Sequence, residues 1–237
     1  MYEFLSRVRY SEVDANGNIR LSALVNYLQD CSSFQSEDLG IGIDYLAESK
    51  RTWVLNYWQV DILKYPRLTD NIIIGTIPYE IKSFVGYRNF YVKNRDTDEI
   101  LVKANTIWTY LDTEKMRPAR VDDIMKEKYA MGNKLDMEYI DHKIIIDGDK
   151  MQDEPILVTK HMIDTNNHVN NAKYIDMALG YLGDKQMPVR LRTEYKNAAV
   201  LGDILVPSIY KKDDEVYVIF SSEDERIVYA ICQFILK

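Results

Sequence analysis

The chain has 237 residues and a formal net charge of -7 at pH 7. It lacks the basic excess of a nucleic-acid-binding protein, and no apolar run reaches the ~20 residues of a membrane span. The 46% hydrophobic and 28% charged fractions are typical of a globular protein with a sizeable core. The first residues show no signal-peptide pattern, so we expect a cytoplasmic protein.

Cysteine and histidine usage argues against a disulfide framework and against a metal site. Cys31 and Cys232 both lie in apolar patterns, and we expect both to be buried thiols. The three histidines, His142, His161 and His168, show no metal-ligand spacing. The sequence therefore predicts a protein without a cofactor.

The first half of the chain predicts one long helix followed by strands. A strand over residues 1–8 and a polar loop precede a helix over 21–39, which Gly40 ends, and a short helical turn over 43–49. Aromatic and β-branched runs then predict strands over 53–62, 72–77, 87–93 and 101–111. The short turns between them indicate an antiparallel sheet on which the long helix lies.

The second half repeats this order after a linker. Residues 116–140 are rich in Lys, Asp, Glu and Met and predict the linker, with a helical piece over 121–130. Apolar runs over 143–146 and 155–158 then lead to a polar stretch and a helix over 171–182, with Asn170 as N-cap and Gly183 after its end. Strands follow over 189–195, 204–210, 216–221 and 227–236.

A duplication explains this order. Asp14 and Asp164 are 150 residues apart, as are Asn16 and Asn166. In each half of the chain the aspartate and the asparagine precede a predicted helix. We therefore predict an α+β fold in which a helix and a curved antiparallel sheet occur twice, in residues 1–115 and 141–237. The two copies are expected to join edge to edge into one continuous sheet.

The polar stretch 164–171 is the strongest candidate for a reactive site. It carries Asp164, Asn166 and His168 at alternate positions before a helix. In an extended backbone these side chains would line one wall, beside the positive end of the helix dipole. Such a set can polarise a carbonyl and activate a water. The alternative interpretation is a turn held by Asx hydrogen bonds.

Three motifs resemble the acyl-[acyl-carrier-protein] thioesterases, in particular a bacterial branch related to the plant plastid enzymes. They are RYSEVDANG (9–17) with NYLQD (26–30), TWVL (52–55) with YP (65–66) and Asp70, and DTNNHVNNAKY (164–174). The resemblance implies a double hotdog fold and hydrolysis of a fatty acyl thioester on the phosphopantetheine arm of an acyl carrier protein. It also implies that Asp164, Asn166 and His168 are catalytic. The resemblance leaves open whether the protein forms a homodimer.

One position departs from the family pattern. In the string YKNAA (195–199), Ala198 stands where the family usually has an acid, and Ala199 where plant members often have a cysteine. Asp164 is then the default carboxylate that orients His168 or takes its proton. Glu194 matches a different family position and receives no role.

The first copy is expected to hold the acyl chain. Gly17 and Asn18 stand there in place of Asn167 and His168, so we expect one active site per chain. The start of the helix over 21–39 is a candidate for stabilising the oxyanion. Apolar candidates for the acyl chain, each of which could equally be simple core, are Leu24, Leu28, Phe34, Trp53 and Trp58, with Cys31, Phe90 and Trp108 beside them.

An acidic carrier protein would need a basic patch on this acidic chain. The candidates are Lys82, Arg88, Arg117, Arg120, Arg190, Arg192 and Lys196. Alternative functions are an acyl-CoA thioesterase, an enoyl-thioester hydratase of hotdog type, and a catalytically impaired acyl-thioester-binding protein.

Overall fold

The computed structural model describes residues 1–183 and 187–237. The described chain divides into two compact units. The first comprises Met1–Asn56 and Ile62–Tyr139, and the second Tyr57–Asp61 and Ile140–Lys237. The strand β2 (Arg51–Ile62) therefore contributes residues to both units, and most of the segment expected to be a linker belongs to the first.

The first unit follows the predicted order of helix and strands. Its remaining elements are β1 (Tyr2–Arg7), a 3₁₀ turn (Tyr10–Glu12), α1 (Leu21–Asp38), α2 (Ile43–Glu48), β3 (Asn71–Lys82), β4 (Val85–Asn94), β5 (Ile100–Asp112), β6 (Arg117–Pro118) and α3 (Asp123–Lys128). The strand order is β1–β3–β4–β5–β2. The pairs β3–β4 and β4–β5 are antiparallel, as expected for strands joined by short turns, and β1 also pairs antiparallel with β3.

Helix α1 buries one stripe of side chains against β3. Leu24, Leu28 and Cys31 are fully buried, in agreement with the predicted core stripe. The helical spacing of the apolar residues also predicts Phe34 on this stripe, and this is wrong, because its side chain is 44% exposed. Gln35, four residues after Cys31, takes the next core position instead, and Phe34 falls on the edge of the helix.

The segment after β5 packs on the first unit. The predicted helix over 121–130 is the shorter α3, whose N-cap Asp122 accepts a hydrogen bond from the Met125 N–H at 2.8 Å. Farther on, the Asn89 side chain accepts from the N–H of Leu135 at 3.1 Å and from the hydroxyl of Tyr139 at 2.9 Å. These bonds hold the segment against the sheet.

The second unit contains the second copy of the helix and sheet. Its elements are β7 (Asp149–Gln152), β8 (Ile156–Leu157), a 3₁₀ turn (Lys160–Met162), α4 (Asn171–Leu179), β9 (Pro188–Tyr195), β10 (Ile204–Lys212), β11 (Glu215–Ser221) and β12 (Val228–Leu236). The order is β9–β12–β11–β10–β7, and Tyr57–Asp61 of β2 pair antiparallel with β9. The predicted α+β class with two helix-and-sheet repeats is confirmed.

One boundary in the second unit differs from prediction. Helix α4 ends at Leu179, with Gly180 as its C-cap, three residues earlier than the apolar spacing indicated. The apolar run 143–146 forms no strand. There the N–H of Ile144 is bonded by the Glu194 side chain rather than by a neighbouring strand.

Candidate active site

The stretch from Asp164 to His168 is a tight turn, not the extended run that alternation predicted. The N–H of Asp164 donates to the carbonyl of His168 at 2.8 Å, and the N–H of Asn167 donates to the carbonyl of Asp164 at 3.1 Å. Asn167 adopts φ 62°, in the left-handed region that asparagine tolerates. The expectation of an extended backbone is therefore wrong, and the placement of Asp164, Asn166 and His168 on one wall stays a prediction.

The Asp164 carboxylate holds the backbone of the other two candidates. Its Oδ1 accepts hydrogen bonds from the N–H of Asn166 at 2.8 Å and of His168 at 3.3 Å. This is the Asx arrangement named as the alternative interpretation. Asp164 thus orients His168 through the main chain.

The first unit contains the same turn without an imidazole. There Asp14 Oδ1 accepts from the N–H of Asn16 at 2.8 Å and of Asn18 at 2.9 Å. The Asp14 N–H donates to the carbonyl of Asn18 at 2.8 Å, and Gly17 has φ 77°. The aspartate therefore shapes the turn in both units. The turns differ in the two residues after the asparagine, and also at Ala15, where the second turn has Thr165.

The turn in the second unit leads directly into α4. Ile163 and Val169 form a bridge that closes it, and the Asn170 side chain accepts from the N–H of Ala172 at 2.9 Å. The predicted N-cap is confirmed, and the helix dipole points its positive end toward the turn. Helix α1 begins after Arg20 without a side-chain cap, and its part in binding an oxyanion stays a prediction.

Ala198 lies beside the turn. The N–H of Val169 donates to the carbonyl of Ala199 at 2.9 Å, so Ala198 and His168 are each one residue from this bond. Ala198 is exposed, whereas Ala199 is fully buried. A larger polar side chain can therefore be accommodated at 198, at the position where the family usually has an acid.

The Glu194 carboxylate bonds to groups outside the turn at 164–168, and no catalytic role is expected for this residue from the sequence. One carboxylate oxygen accepts from the N–H of Ile144, and the other pairs with Lys196 at 2.7 Å. Tyr195, whose side chain points to the opposite face of β9, was missed from sequence. Its hydroxyl donates to the carbonyl of Asn171 at 3.0 Å and fixes the first turn of α4.

The acyl-chain candidates occupy different environments. Leu24, Leu28 and Trp58 are fully buried, whereas Phe34 is exposed. The partly buried Trp53 packs against the ring of Tyr110, with ring centroids 4.9 Å apart. Contact of any of them with an acyl chain stays a prediction.

Two of the basic docking candidates are wrong, because Arg88 and Arg192 are 8% and 7% exposed. Arg190 is bonded to Asp61 at 2.5 Å. Lys82 forms an ion pair with Glu80, and Lys196 forms one with Glu194. Arg117 and Arg120 are exposed and keep their place as candidates for docking.

Both thiols are buried, and burial raises the pKa of Cys31 and of Cys232 to about 12. Each thiol is therefore protonated and unreactive near neutral pH. We expect iodoacetamide at pH 7.5 to label neither cysteine in the native protein, and to label both in urea. Peptide mass spectrometry reads out the labelling, and fast native labelling that abolishes activity would point instead to a cysteine nucleophile.

The described residues hold no metal centre. Within 1–183 and 187–237, no three His, Cys, Asp or Glu side chains converge to form a metal site. No helix in the described part of the chain is long and apolar enough to cross a membrane.

The fold places the chain in the double hotdog class. A solved acyl-ACP (acyl carrier protein) thioesterase from Bacteroides thetaiotaomicron superimposes with a TM-score of 0.89 at 22% identity, over 99% of this chain and 97% of that one. The 12:0-ACP thioesterase from Umbellularia californica gives 0.86 at 15% identity, over 100% and 96% of the two chains.

Family models identify the family. The acyl-ACP thioesterase N-terminal domain matches residues 2–129, and the C-terminal domain matches 145–234. The chain belongs to the acyl-ACP thioesterase family. A chloroplastic palmitoyl-acyl carrier protein thioesterase from Cuphea hookeriana is 23% identical over 205 residues, which are 79% of this chain and 47% of that protein. The chain thus spans about half the length of the curated relatives it matches.

Proposed function

We propose that this protein hydrolyses fatty acyl thioesters of acyl carrier protein at the turn that precedes α4. The observation that carries the proposal is the pair of matching turns. Both have the same backbone and the same aspartate hydrogen bonds, yet only the second presents an imidazole, on His168. Family membership supplies the reaction class.

The proposed reaction uses water as the nucleophile. His168 takes a proton from a water, the water oxygen bonds to the thioester carbonyl carbon, and the Asn166 amide donates to the carbonyl oxygen. The C–S bond then breaks, and the protonated His168 returns its proton to the departing sulfur. A free fatty acid and a free thiol result. Asp164 keeps both side chains in place through their backbone N–H groups.

Turnover on matched substrates tests the proposal. Saturated dodecanoyl-carrier-protein, dodecanoyl-CoA and a trans-2-enoyl-carrier-protein are compared, with free thiol and 3-hydroxyacyl product measured. We expect thiol release, with the highest kcat/KM for the saturated carrier-protein substrate. Hydration of the enoyl substrate without thiol release would favour the enoyl-thioester hydratase. Tight binding of the acyl thioester without turnover would favour the acyl-thioester-binding protein.

Exposed Arg117 and Arg120 are the proposed contact with an acidic carrier protein. Attraction between exposed charges is screened by salt, since the Debye length falls from about 10 Å at 0.1 M to about 3 Å at 1 M. The advantage of the carrier-protein substrate over the CoA substrate should therefore shrink as salt is added to the same assay.

Ala198→Glu is expected to raise kcat by at least about tenfold. A carboxylate there would stand beside His168 and assist proton transfer, a contribution that typically reaches about 10²–10⁴-fold. Because Ala198 is exposed, the change should leave the melting temperature nearly unaltered. Ala198→Gln is the matched control, because glutamine has nearly the same size as glutamate without its charge. An equal gain in kcat in both variants would mean that the gain does not come from a carboxylate at position 198.

A further inference from the structure

Tyr174 buries a hydroxyl group near the start of α4, in the second unit. The residue is 2% exposed, and its ring packs against Tyr195 and Phe220, with ring centroids 6.1 Å and 5.7 Å apart. Its oxygen forms no hydrogen bond of normal length and angle with any residue in 1–183 or 187–237. Burial of a poorly bonded hydroxyl is unfavourable, so this tyrosine calls for a reason beyond packing.

The backbone N–H of Ala199 is the polar group beside the Tyr174 hydroxyl. Burial raises the pKa of Tyr174, and the adjacent Ala199 N–H partly offsets that rise. The contact is longer or more bent than an ordinary hydrogen bond, since the oxygen has no partner of normal geometry among the described residues. Ala199 is itself fully buried, and within the described chain its N–H has no other partner. Two buried polar groups therefore face each other.

Ala199 connects this contact to the turn that carries the imidazole. Its carbonyl accepts a hydrogen bond from the N–H of Val169 at 2.9 Å. Val169 directly follows His168 in the chain. A force on the Ala199 N–H is thus passed through one residue and one hydrogen bond to the backbone of His168, although Tyr174 itself lies outside the turn.

The first unit has the same backbone arrangement without the two polar groups. There the N–H of Ile19 donates to the carbonyl of Pro66 at 2.9 Å, as the counterpart of the bond to Ala199. Leu24 stands 150 residues before Tyr174, at the equivalent helix position. Proline has no N–H and leucine has no hydroxyl. The unit with the imidazole has both polar groups and the unit without it has neither, so packing alone does not require them.

We propose that Tyr174 is a positioning residue for the hydrolysis proposed above. Its hydroxyl holds the N–H of Ala199, and the Ala199 carbonyl holds Val169, so that His168 keeps its place beside the reacting carbonyl. Hydrogen bonds that support catalysis are often long in the free enzyme and tighten in the transition state. This bond forms fully only there, so it lowers the barrier without stabilising the free protein. The inference rests on the proposed function and adds to it a residue that touches no substrate atom.

Tyr174→Phe removes the hydroxyl and keeps the ring. We expect kcat on dodecanoyl-carrier-protein to fall by about threefold to tenfold, the range of one neutral hydrogen bond, with KM within about twofold of the native value. The variant should melt no lower than the native protein. Tyr27→Phe is the matched control, because Tyr27 is a buried tyrosine of α1 whose hydroxyl donates to Glu12 at 2.8 Å. It should melt lower and keep its kcat.

Ala199→Pro removes the other half of the contact, and Pro66 shows that this backbone accepts proline. We expect the same loss in kcat, and no further loss when it is combined with Tyr174→Phe, because both changes remove one interaction. Losses that add in the double variant would overturn the proposal. If Ala199→Pro does not fold, Tyr174→Phe alone decides.

A Tyr174→Phe protein with native kcat would overturn the positioning role, whether its melting temperature is unchanged or lowered. Provided that the native protein turns over and His168→Ala does not, that result would leave the proposed function standing. Absence of turnover in the native protein would instead refute the proposed function, and the positioning role with it.

Discussion

His168→Ala is expected to lower kcat for acyl-carrier-protein hydrolysis by about 10²–10⁴-fold, the usual contribution of a positioned general acid–base group. The fold should persist, because the His168 contacts that shape the turn are made by its backbone N–H and carbonyl. Steady-state thiol release measures the effect, and the melting temperature confirms folding.

The first unit offers a matched control for this variant. Asn18→Ala changes the residue at the same position of the first turn, where the backbone N–H also bonds the aspartate. We expect its kcat to stay within about twofold of the native value. An undiminished kcat in the folded His168→Ala protein would remove the imidazole from the mechanism.

Asp14→Ala and Asp164→Ala are expected to destabilise the protein by similar amounts, about 2–4 kcal/mol each. In each case two hydrogen bonds between a carboxylate and backbone N–H groups are lost. Bonds to charged groups contribute roughly 1.5–3 kcal/mol apiece. The total is expected to be smaller than twice that range, because one bond of each turn is exposed to solvent and the other is only partly buried. Urea unfolding of the separate variants measures the loss. A clear loss for Asp14→Ala without one for Asp164→Ala would show that the two turns are not held alike.

The corresponding Asn variants separate shape from charge. Asparagine keeps a side-chain oxygen that can accept the same N–H groups, so Asp164→Asn should recover most of the stability. If Asp164 acts only by shaping the turn, this variant should also recover most of kcat. A stable Asp164→Asn protein with the kcat of Asp164→Ala would instead give the carboxylate a direct part in proton transfer.

The repeat and most elements could be predicted from the sequence. Asp14 and Asp164, 150 residues apart, make the same hydrogen bonds in their two turns. Asn170 caps α4, as predicted from its position just before the apolar residues with helical spacing. These features are local, since a side chain bonds to a backbone group two to four residues away. Short-range chemistry of this kind is visible in sequence order.

Features that depend on distant neighbours were not predictable. Arg88 and Arg192 were candidates for a basic docking patch, but each lies on a strand face that other segments cover. Phe34 matched a helical spacing, yet Gln35 takes the core position because its side chain bonds Arg88, 53 residues away. The extended backbone predicted for residues 164–168 is also absent, because Asn167 has a positive φ and the chain turns there.

Exchange of the two turn sequences tests the central claim most directly. Asn167→Gly with His168→Asn gives the second turn the two residues that follow the asparagine in the first turn, while Gly17→Asn with Asn18→His does the reverse. Both turns have the same backbone, and asparagine and glycine both adopt the positive φ required, so both double variants should fold. The measurement is kcat/KM on dodecanoyl-carrier-protein. We predict a loss of at least about 10²-fold in the first variant and native turnover in the second. Native turnover in the folded first variant would contradict the assignment of the active site to the turn before α4.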